Sequence, residues 1–246
     1  MKRDNVKVSI ITVSYNSEKT IRRTIESVLN QTYRNIEYII IDGASNDLTV
    51  DIIKEYEPKF LGRLKWISET DSGIYDAMNK GICKASGELI GIINSDDYYE
   101  KEAVEHMINA LGSEEYQVLY GMLRTLKNGE EFSIGIRTHK DLRNGMIGHP
   151  TCFVTKATYQ KFGMYDTKYK SVADYDFMLR VYESNFVTFK PVYHIIANFE
   201  KGGMSSTTMA WLELEKLKRN YGIISELEYK KILFKHKIFK LIYGNR

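Results

Sequence analysis

Cysteine and proline are scarce in this chain of 246 residues, which has two of the first and three of the second. Cys83 and Cys152 lie far apart and match no metal-ligand spacing, so they read as free thiols in a reducing compartment rather than a structural disulfide. Long apolar runs are missing too. No stretch approaches the roughly 18 apolar residues of a membrane span. The opening Met1-Lys2-Arg3-Asp4-Asn5 runs into a strand pattern without the apolar segment of a signal peptide. Charge of one sign is not in excess: 35 Lys and Arg against 32 Asp and Glu leave +3, so nothing overall calls for nucleic acid as a partner. Repeats and low-complexity segments are also absent. The expectation is a cytoplasmic chain, with peripheral contact at the inner face of the cytoplasmic membrane left open. Its length fits one large α/β domain, or one domain plus a small appendage.

What is there is an alternation of strands and helices. Residues 6–14 read as a buried strand, with Val8, Ile10, Ile11 and Val13 supplying β-branched bulk. Residues 18–30 read as an amphipathic helix with Ser17 as N-cap. Strands at 36–41, 64–68 and 88–93 then alternate with helices at 48–56 and 75–85. This order predicts βαβ units and a Rossmann-like, mostly parallel central sheet flanked by helices. Ligands of such sheets bind beyond the carboxyl ends of the strands. Three polar clusters fall there: Tyr15-Asn16, residues 42–47 and residues 94–97. Later come a helix at 103–111, strands at 118–125 and 131–136 around the hairpin turn Asn128-Gly129, and a loop at 139–149. A helix at 173–184, a strand at 186–199 and a basic helical stretch at 211–243 complete the chain.

Asp96 and Asp97, on a tight turn after a strand, repel each other, and a hard cation such as Mg²⁺ or Mn²⁺ relieves that repulsion. The bland alternative is a solvated turn capping the next helix. The cluster at 42–47 reads as a turn and helix cap through Ser45 or Asn46, a role compatible with binding a nucleotide at the helix N-terminus. Asp174-Tyr175-Asp176 opens a helix, where the dipole alone favours Asp; a catalytic base is the sharper reading. His149 and His194 read as structural histidines.

Taken in order, these clusters resemble the inverting family 2 glycosyltransferases of the GT-A fold, over about residues 6–200. Val8-Ser9-Ile10-Ile11-Thr12-Val13-Ser14-Tyr15-Asn16 is similar to that family's first strand, and Ser27-Val28-Leu29-Asn30-Gln31-Thr32-Tyr33 to its first helix end. Ile41-Asp42-Gly43-Ala44-Ser45-Asn46-Asp47 resembles its Asp-Asp-Gly-Ser loop, and Asn94-Ser95-Asp96-Asp97 its Asp-x-Asp motif. The stretch from Glu69 through Asp71 and Asn79 to Gly81, with His149-Pro150-Thr151 and Gly202-Gly203-Met204-Ser205, resembles a bacterial branch that builds surface polysaccharide.

The resemblance implies a nucleotide-sugar site made by Val13, Tyr15, Asn16, Asp42, Asp71, Asn79, Asn94 and Ser95. It implies Mn²⁺ or Mg²⁺ on Asp96, with Asp97 helping from the same turn, and Asp174 as the base that deprotonates an acceptor hydroxyl. Partners would be a nucleotide-sugar, most simply a UDP-sugar, and a glycan or lipid-linked acceptor. Three positions depart from the pattern: Gly43, Asn94 and Ala173 stand where the family has Asp, Asp and Glu. Recognition of uracil must then come from backbone or from other side chains, with looser selectivity. The departures keep a non-catalytic nucleotide-sugar-binding protein as one alternative. A sugar-phosphate nucleotidyltransferase is another, although Tyr15-Asn16-Ser17-Glu18 stands where it would carry a Gly-rich loop with a basic residue.

Residues 1–205 are expected to form the GT-A domain, with 1–100 the nucleotide half and 101–205 the acceptor half, and 206–246 a basic helical extension. Residues 230–246 carry six basic residues and no acidic one, with Ile232, Phe234, Ile238, Leu241 and Ile242 able to share one helical face. Such a helix either lies on an anionic membrane or packs on the core.

Overall fold

The computed structural model describes residues 5–202 and 207–243, with side chains of the last helix described as far as residue 237. Strand β1 (Val8–Ser14) and strand β2 (Ile36–Asp42) are buried at every position. Their β-branched side chains serve two faces at once, as expected where helices cover both sides of a parallel sheet. Ile11, Val13, Ile39 and Ile41 join one core, and Val8, Ile10, Ile36, Tyr38 and Ile40 join the other. Each fully buried Ile contributes roughly 1.5–3 kcal/mol of transfer free energy.

Helix α1 (Ile21–Leu29) follows β1, and helix α2 (Thr49–Tyr56) follows β2. Strand β3 (Leu64–Ser68), helix α3 (Ile74–Lys84) and strand β4 (Leu89–Ile92) complete the first half. These strands lie in the order β3-β2-β1-β4, all parallel. Ser14 pairs with Asp42 and Asp42 with Ser68, so three carboxyl-terminal strand ends lie side by side.

The second half contains strand β5 (Tyr98–Tyr99), helix α4 (Ala103–Ala110), strand β6 (Gln117–Lys127) and strand β7 (Glu130–Gly135). Strand β8 (Phe153–Thr155), helix α5 (Lys156–Phe162), helix α6 (Ala173–Glu183) and strand β9 (Thr188–Glu200) follow. The sheet continues as β4-β8-β6-β9-β5, with β7 on β6. Here the parallel pattern gives way: only β6 and β9 are parallel, while β8, β5 and β7 pair antiparallel with their neighbours. The core made with Ile11 and Val13 is covered by α3 and α6 through Met78, Ile82, Phe177, Met178 and Val181. The opposite core is covered by α1, α2 and α4 through Ile25, Val28, Ile53, Val104 and Met107.

The basic helical stretch at 211–243 is made of two helices. Helix α7 (Thr208–Asn220) starts at Thr207, whose hydroxyl accepts the Ala210 N–H at 3.1 Å, and it buries Leu217 in the core. It stops because Gly222 turns left-handed at φ 60°. The Gly222 N–H bonds the Arg219 carbonyl and the Ile223 N–H the Lys218 carbonyl. Helix α8 (Glu226–Tyr243) buries none of its described side chains. Its contacts include Trp211 beside His236 and Arg219 over Tyr229, both reaching back to α7. The expected division at 205/206 falls among residues outside the described set, as do Gly203-Met204-Ser205 and residues 244–246, and α7 belongs with the core.

Candidate active site

The loops after β1, β2 and β4 are tied to one another by hydrogen bonds. Asn16, left-handed at φ 48°, donates its N–H to Ser45 Oγ at 2.8 Å and accepts the Asn46 N–H at 2.9 Å. Asn tolerates this backbone; Ala44, at φ 59°, has no such excuse and stores strain of order 1 kcal/mol beside the same loop. Ser17 is not the N-cap of α1. Its carbonyl accepts the Ile21 N–H, while its hydroxyl meets Ser95 Oγ at 2.7 Å and so joins the β1 loop to the end of β4. Asp47, not Ser45 or Asn46, accepts the Thr49 N–H at the start of α2. Its other oxygen accepts the Glu18 N–H at 3.1 Å.

Asp42 lies beneath this surface rather than on it. It is 0% exposed, and both its oxygens are taken: by Ser14 Oγ, Ser45 Oγ, the Ser45 N–H and Ser68 Oγ. Its carboxylate fastens three strand ends together instead of touching a ligand. Val13 is likewise a core side chain and offers the site only backbone. Asn79 is spent elsewhere, its amide clamped to the Tyr165 backbone by bonds of 2.8 and 3.0 Å. Tyr15, by contrast, presents its ring to solvent, 63% exposed.

The turn after β4 carries unmet polar atoms. Asp97 is 0% exposed. One oxygen accepts the Glu200 N–H at 3.3 Å; the other, and the buried Asn94 Oδ1, have no hydrogen-bond partner among the described residues. Burial, and then the neighbouring Asp96 charge, push the Asp97 carboxyl well above the usual range, and burial raises Asp96 as well. Arg23 approaches only in part: it donates to the Asp96 carbonyl at 2.8 Å and lies over the Tyr98 ring. Two crowded carboxylates and a free amide oxygen fit a hard divalent cation. Among the described residues no three acidic, His or Cys side chains form a complete cage. An ion held here would therefore take its remaining ligands from elsewhere, as cations that bridge phosphates do.

Asp174 and Asp176, in the first turn of α6, face different neighbours. Asp174 Oδ1 accepts the Tyr75 hydroxyl at 2.8 Å and the Tyr175 N–H at 2.9 Å. Asp176 is buried against Tyr221 and Arg180. Tyr75 belongs to the second residue of α3, so the candidate base is held from the nucleotide half of the chain. Burial and then the Asp174 charge raise the Tyr75 hydroxyl far above its ordinary value, which keeps it a donor. His149 lies half-buried nearby with Nε2 3.2 Å from the Tyr165 hydroxyl, and desolvation lowers its pKa despite the Asp174 charge. His194 stacks on His106 outside this cluster. Sequence reading missed Tyr75, whose only signal was its place in the stretch from Glu69 to Gly81.

The family model described as "Glycosyl transferase family 2" matches residues 9–187, a span that includes β1, the Asn94–Asp97 turn and Asp174. The chain belongs to glycosyl transferase family 2. Among curated family relatives, a PGL/p-HBAD biosynthesis glycosyltransferase of Mycobacterium bovis (strain BCG / Pasteur 1173P2) is 28% identical over 214 residues, covering 86% of this chain and 82% of that protein. Among solved structures, Staphylococcus aureus TarS 1–349 in complex with UDP-GlcNAc superposes with TM-score 0.72 at 22% identity, over 92% of this chain and 69% of that one. A mannosyltransferase of Pyrobaculum calidifontis, solved with GDP-Man and Mn²⁺, superposes with TM-score 0.61 at 16% identity, over 86% and 61%. At these identities the structural likeness establishes the fold alone, which is GT-A.

Proposed function

We propose that the chain transfers one sugar, with inversion, from a nucleotide-sugar, most simply a UDP-sugar, to a hydroxyl of a glycan or lipid-linked acceptor in surface polysaccharide biosynthesis. One observation carries this reading. The strand-end loops form a single hydrogen-bonded surface that ends in the Asn94–Asp97 turn, where an Asp97 carboxylate oxygen and the Asn94 amide oxygen are unpartnered among the described residues, while α3 reaches from its nucleotide side to hold Asp174. The complexes of fold neighbours with UDP-GlcNAc and with GDP-Man and Mn²⁺ support a nucleotide-sugar donor and a divalent metal, and the mycobacterial relative supports a biosynthetic role.

In this assignment residues 1–100 bind the donor and 101–205 the acceptor. The Tyr15 ring stacks on the base; Asn16, Ser95 and the Val13 backbone line its approach. Asp96, Asp97 and Asn94 Oδ1 would hold Mn²⁺ or Mg²⁺, whose charge stabilises the departing nucleoside diphosphate. Asp174 accepts the acceptor's hydroxyl proton through Oδ2, since Oδ1 is engaged by Tyr75. The acceptor oxygen bonds to the anomeric carbon as the bond to phosphate breaks on the opposite face, which inverts that centre. Thermal stabilisation by UDP-, GDP- and dTDP-sugars with Mn²⁺, repeated in EDTA, tests the donor site. The expected result is stabilisation by one nucleotide class that EDTA abolishes; no stabilisation by any of them would reject the reading.

A further inference from the structure

Asp174 stands in the first turn of α6, yet that helix has no side-chain N-cap: Val172 precedes it and no side-chain hydrogen bond closes its start. The loop leading into α6 is fixed instead by α7. Glu213 accepts the Lys170 N–H at 2.8 Å and 3.0 Å, one distance to each carboxylate oxygen, and the Ser171 N–H at 2.6 Å. Two consecutive backbone donors thus share one carboxylate just ahead of Asp174. Farther along, Asn220 donates to the Tyr169 hydroxyl at 3.3 Å, and Tyr221 donates to Asp176 Oδ1 at 3.1 Å. The segment from Tyr169 to Asp176 is therefore held on both sides of Asp174 by residues of α7 and its end. None of them lies in the span of the family model, which stops at residue 187.

The loop so held faces the start of α3. Lys170 Nζ donates to the Ser72 carbonyl at 3.1 Å, on a turn that Asp71 shapes by accepting the Gly73 N–H at 2.8 Å. With the Tyr75–Asp174 bond this makes two bridges around a cleft lined by Ser72, Gly73, Tyr75, Thr167, Tyr169 and Lys170. We propose that Glu213 is a positioning residue for the transfer step: it fixes the start of α6 so that Asp174 stays against the Tyr75 hydroxyl with its free oxygen toward the acceptor. The proposal rests on the reading of Asp174 as the base. Hydrogen bonds from N–H groups to a carboxylate are about twice as strong as neutral ones, and two on adjacent residues fix the direction of the loop as well as its place. A reacting group displaced by about 1 Å can cost about 10²-fold in rate. Glu213 touches no reacting atom and acts only through Asp174. Its charge also reaches the Tyr75 hydroxyl, adding to burial and the Asp174 charge, which keep that group a donor.

The test is Glu213→Gln, made in wild type and in Asp174→Asn, with UDP release from UDP-GlcNAc followed in Mn²⁺ and octyl glucoside. Whichever way the new amide turns, its NH₂ meets a backbone N–H. In wild type the substitution should lower kcat by about 10–100-fold, the range for hydrogen bonds to a charged group, and leave KM for UDP-GlcNAc unchanged. In Asp174→Asn it should change the residual rate by less than about twofold, because the group it positions is already gone. Glu213→Asp, which keeps the charge but shortens the reach, gives the same comparison should Glu213→Gln fail to fold. A folded Glu213 variant with wild-type kcat, or an equal loss in both backgrounds, would overturn the proposal and leave Asp174 as the base. An Asp174→Asn variant with wild-type turnover, or a wild type that releases no UDP, would overturn the reading beneath it.

Discussion

Asp174 and Asp176 stand two positions apart on α6, and the difference in their partners separates their roles. Asp174→Asn keeps the shape and the Tyr75 contact but removes the proposed base. Turnover should fall by about 10²–10⁴-fold, with donor affinity within a few-fold of wild type. Asp176→Asn disturbs a buried carboxylate bonded to Tyr221 and Arg180, and should lower stability by about 1–3 kcal/mol while the folded fraction stays active. Steady-state rates and chemical denaturation of the two variants separate these outcomes; a dead, stable Asp176→Asn beside a competent Asp174→Asn would move the base by two residues. Tyr75→Phe removes the hydroxyl that orients Asp174 and should cost about tenfold in kcat, the worth of one ordinary hydrogen bond, without moving KM for the donor. The chemical types at the site were legible in the sequence, because Asp96, Asp97, Asp174 and Tyr15 sit in local patterns at strand and helix ends. The partners of those groups were not. Tyr75 meets Asp174 across 99 positions, and Asn79 is used up on Tyr165 across 86. Asp42 reads the same from sequence whether it faces a ligand or, as here, a ring of hydroxyls and a backbone N–H beneath the loop.

Strands β1 and β2 were legible because β-branched bulk on both faces has few other uses, and the turn Asn128-Gly129 formed with both residues left-handed, as a two-residue hairpin requires. Strand β8 was hidden: three residues between a short 3₁₀ turn and α5 are too few to show a period, and they pair antiparallel with both β4 and β6. Within β2, Glu37 breaks the apolar pattern, buried at 3% exposure. Burial alone would raise its pKa, but bonds from Ser9, the Ser86 N–H and hydroxyl, and Lys7 outweigh that and hold it at about 2. Because the folded value lies below the unfolded one of about 4.3, the stabilisation is complete above that pH. It is lost as pH falls through the folded value. Glu37→Ala should cost about 1–3 kcal/mol at neutral pH by stranding the Ser86 N–H, and should flatten the acid limb of the stability profile between pH 5 and 2. Urea unfolding at a series of pH values measures both; an unchanged acid limb would show that Glu37 is not its source.

Across the whole molecule, two faces of one sheet are covered by helices, and the described side chains of α8 join neither core. No described helix is long and apolar enough to cross a membrane. We propose that the basic residues of 230–246 contact an anionic surface, the alternative being a helix packed on the core. Deleting them should release the protein from anionic liposomes in sedimentation while UDP binding persists, and equal sedimentation of both forms would reject that role. The account's central claim is that donor and acceptor chemistry meet between the Asn94–Asp97 turn and Asp174. The most direct measurement is the anomeric configuration and yield of the glycoside formed from a UDP-sugar and an acceptor alcohol with Mn²⁺, followed by NMR. The account predicts a product of inverted configuration whose formation stops in EDTA or in Asp96→Ala. A retained configuration, or undiminished product in EDTA or from Asp96→Ala, would contradict it.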